Sequence, residues 1–425
     1  MPVDRGTVLI FEYFTAFAVL LMLSSNGFWI LFGYEEDTPN DSRISALLLM
    51  CAIFAIAGVC ILRHWRTFAS AIPKAWPLLA LSVLAVASSL WSDVPGVTFR
   101  RGLVLLATTL FGVYLGARFR PDRQLFLLAA CLGLIAIASL CAALWFPSYG
   151  ISSEAGHVGD WKGIFVQKNV LGSLMSLSCL VFIMLPRDHR VLRLCGLLLS
   201  VALLLASGSR TAMVISGLLL ACYVMCRLGR LRLTLPALVS IAGVAACLCA
   251  IPLIGFDSAG MLKLLGRDAT LTGRTDLWVI VLTVILRRPW LGYGFNALWY
   301  SDTTTEWRIQ QQAGWAAHEA HSGLLDLALA LGATGVAVFV CGFVVYLARA
   351  AAAVRRSSGD DVLWPFLYLV FLLVYNVAES LGATSSIYWC VYVSVAVSVS
   401  RHGLNTGGRV VGDGVDNAAD PRRLA

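Results

Sequence analysis

The sequence predicts an all-α integral membrane protein of about twelve transmembrane helices, and three observations predict it. Hydrophobic residues make up 59% of the chain and charged residues 13%, where a soluble domain carries about 25% charged residues. The mean hydropathy is +0.80. Apolar segments of the length that a bilayer requires recur along the sequence, and the polar gaps between them leave no room for a soluble domain of ordinary size.

Taken in order, the expected spans are 9–32, 45–63, 74–92, 99–117, 124–146, 170–186, 192–207, 211–226, 233–254, 322–348, 362–380 and 384–400. The first has no cleavage site of small residues behind it and is expected to be a retained span, not a signal peptide. The seventh and eighth are short and close together, but the polar Ser207-Gly208-Ser209-Arg210 between them argues for two helices over one broken one. The stretch 276–286 (DLWVIVLTVIL) is apolar almost all round yet too short to cross, and is expected to be an interfacial or re-entrant helix. Arg288-Pro289-Trp290-Leu291-Gly292-Tyr293-Gly294 then turns the chain. The polar tail 401–425 has no periodicity and is expected to be disordered, leaving 1–400 as one membrane domain.

An even number of spans puts both termini on one side. With that side inside, 20 of the 32 lysines and arginines fall on inner segments and 12 on outer ones. The positive-inside rule therefore favours cytoplasmic termini. The outer loops 147–169 and 256–321 are the long ones, and half of the outer cations lie in the second. Trp299, Trp307 and Trp315 in that loop suit a surface near headgroups or sugars. The twelve cysteines all sit in apolar runs, which argues against a disulfide framework or a zinc cluster.

Three outer features have chemical potential. His321 lies where the longest polar loop enters the tenth span, with His318 and Glu319 beside it and Ser322 at a helix-cap position. A histidine there can take a proton near neutral pH, and it can equally anchor a helix end. Arg210 opens the eighth span behind Ser207, Gly208 and Ser209, so free backbone N–H groups and a guanidinium meet there, as an anion site requires. On insertion scales an arginine in the bilayer costs ~2.5–3.5 kcal/mol, and the outer face gives no topological reason for it. Arg274 precedes the apolar half-helix 276–286, and an ordinary pairing with Asp276 is the alternative. Lys168, Arg100 and Arg101 add to a basic outer surface that fits an anionic lipid-linked partner and no nucleic acid. Glu306, Glu319, Asp326 and Glu379 look scattered, with no acid–base pair among them. No carboxylate or cysteine is spaced to complete a metal set with His318 and His321, and no nucleotide-binding glycine loop is present, so neither metal nor cofactor is expected.

GIFVQKNVLG (163–172), SGSRTA (207–212), GRTDLW (273–278), RPWLGYG (288–294) and HSGLLDLALALGATG (321–335) occur in this order, with FRRGLVLLATTLFGVYLGARF (99–119) upstream. Together they resemble the O-antigen ligase and polysaccharide polymerase family, in its exopolysaccharide polymerase branch. The resemblance implies a glycosyltransferase-C-like architecture with a large periplasmic loop between the ninth and tenth helices, in the bacterial inner membrane. It implies a glycan linked through pyrophosphate to undecaprenol as donor. His321, opening a His-Ser-Gly-Leu-Leu pattern, would activate the acceptor hydroxyl, and Arg210 and Arg274 would bind the pyrophosphate. Lys168 matches with a less certain role, and none is implied for His318.

The expected activity is polymerisation: an inverting, metal-independent transfer of a growing chain onto the next lipid-linked repeat, alongside a flippase and a chain-length regulator of the same pathway. A ligase moving the finished glycan to lipid A core or protein is the second reading. A lipid-linked oligosaccharide flippase is the third, disfavoured because the span centres are almost free of charge.

Overall fold

The computed structural model describes residues 5–24, 40–153, 157–228, 272–299, 304–314, 317–356, 360–380 and 385–402. Its principal helices are α1 (Arg5–Leu23), α2 (Asn40–Arg63), α3 (Trp65–Leu90), α4 (Pro95–Arg118), α5 (Pro121–Trp145), α6 (Lys168–Met184), α7 (Arg190–Ala206), α8 (Arg210–Arg227), α9 (Thr272–Ile285), α10 (Thr304–Ala313), α11 (Gly323–Arg356), α12 (Asp360–Ala378) and α13 (Ile387–His402). No strand occurs among the described residues beyond one isolated bridge between Ile151 and Trp161. The chain is an all-helical, multi-pass membrane protein. Among the described residues six helices are long and apolar enough to cross a bilayer, and shorter apolar helices accompany them. Every expected span except 233–254 overlaps one of these helices; 233–254 lies outside the described residues, as do 25–32 of the first span and the tail beyond His402. The SGSR break separates α7 from α8 as its polarity predicts, and the half-helix expected at 276–286 is α9.

The two last helices form the centre. From Ile387 to Ser400, α13 is buried on all sides, and most of α12 is too, which is what a helix apolar all round requires. The closest partner of α13 is α4, where Gly112 and Gly116 form a small-xxx-small seam. A Cβ at Gly116 would lie 2.5 Å from the Ser394 carbonyl, so the two backbones meet directly. Two buried polar side chains of α13 are paired across the bundle: Trp389 Nε1 donates to Thr109 Oγ1 at 2.8 Å, and Ser394 Oγ donates to Gln124 Oε1 at 2.7 Å. On α1 the carboxylate of Glu12, 1% exposed, is clasped by Arg118 Nε at 2.9 Å and His64 Nε2 at 2.5 Å. By contrast α7 and α8 present Val191, Leu194, Leu198, Val214 and Leu218 outward, as lipid-facing helices do.

The most consequential element is α11. At 34 residues it is longer than any bilayer requires, and it is broken at Gly332, which has φ 62° and ψ −163°. In an unbroken helix Ala333 and Thr334 would donate to the carbonyls of Leu329 and Ala330. Here Ala333 N donates to Pro289 O at 2.7 Å and Thr334 N to Trp290 O at 3.2 Å, while Tyr293 N and Gly294 N donate to Leu329 O at 2.8 Å and Ala330 O at 3.0 Å. The loop 289–294 is thus spliced into the break, and both strands of backbone recover every bond the break removes. Neither crossing residue can carry a Cβ: at Gly332 it would collide with the Trp290 backbone, and at Gly292 (φ 65°) it would lie 2.5 Å from Leu329 O. After the break, 333–356 runs about 35 Å and covers a hydrocarbon core alone. The piece 323–331 sits above it and carries the entry loop. The expected single span 322–348 is therefore a cap segment and a span, a division hydropathy does not register because both pieces are apolar.

Gly332→Ala is expected to destabilise the protein by at least ~1–3 kcal/mol, from a backbone conformation that only glycine tolerates, and by more from the collision. Gly217→Ala, where nothing lies within 4 Å of the added methyl, is the matched control and should melt with the parent. Thermal unfolding in detergent, followed by circular dichroism, measures the difference.

Candidate active site

Three helices begin and one ends around a single patch. Lys168 opens α6, Arg210 opens α8, Gly323 opens α11, and Glu379 follows the last residue of α12. Side-chain contacts tie them together. Asn169 Nδ2 on α6 donates to Glu379 Oε1 at 3.4 Å, and Glu379 Oε2 lies 3.5 Å from His321 Nδ1. A Cβ on Gly172 of α6 would come within 2.6 Å of Ser209, and the Asp160 carboxylate is packed against Gly208. His321, the Lys168 segment and the SGSR turn, with His321 lying 111 residues beyond Arg210 and 153 beyond Lys168 in sequence, are thus neighbours in the fold.

The loop that presents His321 is held from several directions. Ala317 and Ala320 are fully buried. The Ala320 carbonyl accepts from Trp278 Nε1 on α9 at 2.8 Å, and the Ala320 N–H donates to both oxygens of Asp326 at 3.0 and 3.2 Å. Asp326 also receives Trp299 Nε1 at 2.7 Å and the hydroxyl of Ser380. On the other side Gln310 of α10 donates to Ala317 O at 3.1 Å and to Glu306 Oε1 at 3.2 Å, with Glu306 buried. So anchored, His321 adopts φ 49°, a left-handed conformation that histidine visits more readily than most residues but at a cost in strain. Ser322 occupies the cap position of α11, its carbonyl accepting from Asp326 N at 3.0 Å.

The imidazole is largely buried, its side chain 15% exposed, and Nδ1 faces two carboxylates: Glu319 at 2.9 Å and Glu379 at 3.5 Å. The expectation that the carboxylates are scattered is therefore corrected, since two of them converge on His321. The four acidic residues that look scattered in sequence all serve this loop. Glu319 and Glu379 meet the ring, Asp326 pins Ala320, and Glu306 supports Gln310. Folding across 58 residues supplies the pair that spacing conceals. The ligand atoms of Glu319, His321 and Glu379 lie within 4.8 Å of one another, close enough to be considered for a metal. However, ligands of a tetrahedral ion at about 2.1 Å stand about 3.4 Å apart, and the 2.9 Å contact is a hydrogen-bond distance.

The cationic residues fall into two groups. Arg210 is exposed at the head of α8, whose cap residue Ser209 makes no side-chain bond to the first turn, so uncapped N–H groups accompany the guanidinium. No ion pair to Arg210 occurs among the described residues. Arg274 lies in the first turn of α9, one helical turn before the Trp278 that bonds the His321 loop. Lys168 is different: its ammonium is held by Asp160 at 2.6 Å and His157 at 2.9 Å, so much of its charge is already answered. His318 is exposed on the loop and joins no cluster among the described residues. Trp299 is buried and works as a donor to Asp326, which overturns its expected place on the surface. Trp307 on α10 is 62% exposed and fits that expectation, while Trp315 lies outside the described residues.

Residues 195–340 match the family model described as O-antigen ligase. The match takes in Arg210, Arg274 and His321 and stops short of Lys168 on one side and Glu379 on the other. No curated protein matches the chain.

Removing the Asp326 carboxylate, as in Asp326→Ala, is expected to release the Ala320 N–H and let the 317–322 turn relax. Hydrogen–deuterium exchange should find faster exchange at Ala320 while α13 stays protected, with loss of activity accompanying it.

Proposed function

We propose that this chain, which carries the O-antigen ligase domain over residues 195–340, is a polysaccharide polymerase acting on polyprenyl-pyrophosphate-linked glycans. The match over residues 195–340 supports a glycan-transferring membrane protein, and a lipid-linked oligosaccharide is the fitting substrate. One observation carries the finer reading: a shielded histidine shares a patch with the uncapped start of α8, headed by Arg210, and with the helix that bears Arg274.

In this reading His321 takes the proton of an acceptor sugar hydroxyl on one lipid-linked repeat. The hydroxyl oxygen bonds to the anomeric carbon of the donor, the bond from that carbon to the pyrophosphate oxygen breaks, and polyprenyl pyrophosphate leaves with the electron pair. Attack opposite the leaving group inverts the anomeric centre. Arg210, Arg274 and the α8 N–H groups stabilise the charge that grows on the departing pyrophosphate. The donor bond is already activated, so no nucleotide is needed, and the arginines supply the charge a metal would otherwise provide. Lys168, held by Asp160, shapes the patch and lends it residual positive charge. Trp307 offers an exposed ring for stacking glycan. The site faces the periplasm, with both termini in the cytoplasm of an inner-membrane protein. A flippase and a chain-length regulator are the expected partners of such a polymerase.

The ligase reading has its own support in the description of the matched family. A deletion strain separates the two: single-repeat products accompany loss of a polymerase, long unattached chains loss of a ligase. Purified protein in liposomes with lipid-linked repeats should build polymer, and His321→Ala should slow it by at least ~10²-fold. Arg210→Ala and Arg274→Ala should each lower kcat/KM by about 10²- to 10³-fold. Dialysis against EDTA should leave the rate unchanged. Full chain growth by His321→Ala would exclude the assigned base.

A further inference from the structure

The ring of a general base needs a fixed tautomer and a fixed orientation, and carboxylates can only accept hydrogen bonds when ionised. Nδ1 of His321 faces two of them, so it must carry the proton, and the basic lone pair is then on Nε2. The two carboxylates are not equivalent. Glu319 makes the shorter contact, but it stands two residues from His321 on the same turn, its side chain is 37% exposed, and it moves with the ring it touches. Glu379 belongs to another helix, its side chain is 10% exposed, and Asn169 of a third helix binds its other oxygen. Of the two, it is Glu379 that ties the imidazole to the packed scaffold of α12 and α6.

The surroundings of Glu379 are unusual for a span end. Asn376, one turn earlier on α12, is 6% exposed, and its side-chain oxygen has no hydrogen-bond partner among the described residues while lying against Gly323. Asn376 near the end of α12, and Glu379 and Ser380 just beyond it, close the otherwise apolar stretch 362–380, and such residues inside a membrane protein are costly unless they do chemistry or hold something in place.

We propose that Glu379 is the positioning residue of the catalytic histidine: it accepts a hydrogen bond from Nδ1–H, so that Nε2 faces the acceptor hydroxyl, and it stabilises the imidazolium formed when Nε2 takes the hydroxyl proton. This rests on His321 being the base. The step moves one proton, from the acceptor hydroxyl to Nε2, while the other proton stays on Nδ1, hydrogen-bonded to Glu379. Glu379 lies beyond the matched domain, so the catalytic unit extends into α12.

The test is the pH–rate profile of polymer formation by full-length protein in liposomes, for the parent, Glu379→Gln, Glu379→Asp and Glu319→Gln. The other described charges around the patch are Asp326 on α11, Lys168 with Asp160 and His157 beside α6, and Arg210 on α8; all are common to the four proteins. A nearby negative charge favours the imidazolium, so its loss lowers the histidine pKa. The base works when neutral, and the acid limb of the profile in Glu379→Gln should therefore move to lower pH. Its kcat should fall by about 10- to 100-fold, part of the full contribution of a general base, with KM for the donor little changed. Glu379→Asp should recover part of kcat and return the limb towards the parent. Glu319→Gln should shift it less. A Glu379→Gln protein with parental kcat and an unmoved limb, or with a raised donor KM alone, would overturn the proposal, as would Glu319→Gln producing the larger shift. His321→Ala run alongside keeps the two ideas apart: if it stays active the base assignment fails, whereas an inactive His321→Ala beside an unaffected Glu379→Gln sinks only the role of Glu379.

Discussion

A helix that must be both too long for the bilayer and interrupted within it has to find partners for the backbone groups its interruption frees. In α11 that requirement is met by another stretch of main chain. Loop 289–294 donates two N–H groups to the Leu329 and Ala330 carbonyls and accepts two from Ala333 and Thr334. Because hydrocarbon offers no water to absorb an error, the register of this splice admits no slippage. The loop is itself sewn to the end of α3: Phe295 N donates to Ser88 Oγ at 2.9 Å, Trp91 Nε1 to Leu291 O at 3.0 Å, and Arg288 pairs with Asp93 at 3.0 Å. The cap segment 323–331 is thereby fixed relative to the bundle, and with it the turn that ends at His321.

From that fixed point the site is assembled by side chains that bond main chain more than they bond one another. Trp278, Gln310 and Asp326 each grip the backbone of 317–320, leaving His321 strained but immobile at the margin of the bundle. The cost of the left-handed φ and of the buried carboxylates is met by these bonds and by apolar packing around Leu277, Val281, Ile309 and Ala320, a small core separate from the main one. Chemistry placed there combines access from one side with a floor that does not yield.

Much of this architecture is legible in the sequence because bilayer thickness imposes a length and composition that hydropathy reads directly. The SGSR break, the half-helix at α9 and the positions of His321 and Arg210 at helix starts all follow from local polarity. What is not legible depends on contacts between distant segments. Glu379 sits 58 residues from His321 and Asp326 54 residues from Ser380, so no local spacing reveals either pair. The break at Gly332 hides within an apolar run whose glycines look like ordinary membrane-helix glycines, and only the partner motif RPWLGYG explains them. A signal for Glu379 was nevertheless present: two polar residues three apart, Asn376 and Glu379, at the end of a span otherwise free of charge. Trp299 misled in the opposite sense, because an indole that suits a surface suits equally well a buried carboxylate in need of a donor.

The clasp around Glu12 bears on how the chain is made. The first helix enters the membrane with a carboxylate whose partners among the described residues are His64, 52 residues later, and the permanently charged Arg118, 106 residues later. Holding an unpaired acidic side chain at mid-helix costs about 2.5–3.5 kcal/mol on insertion scales. The first helix therefore completes its burial only when the fourth arrives, and the early part of the bundle matures as a unit of four helices, not one helix at a time.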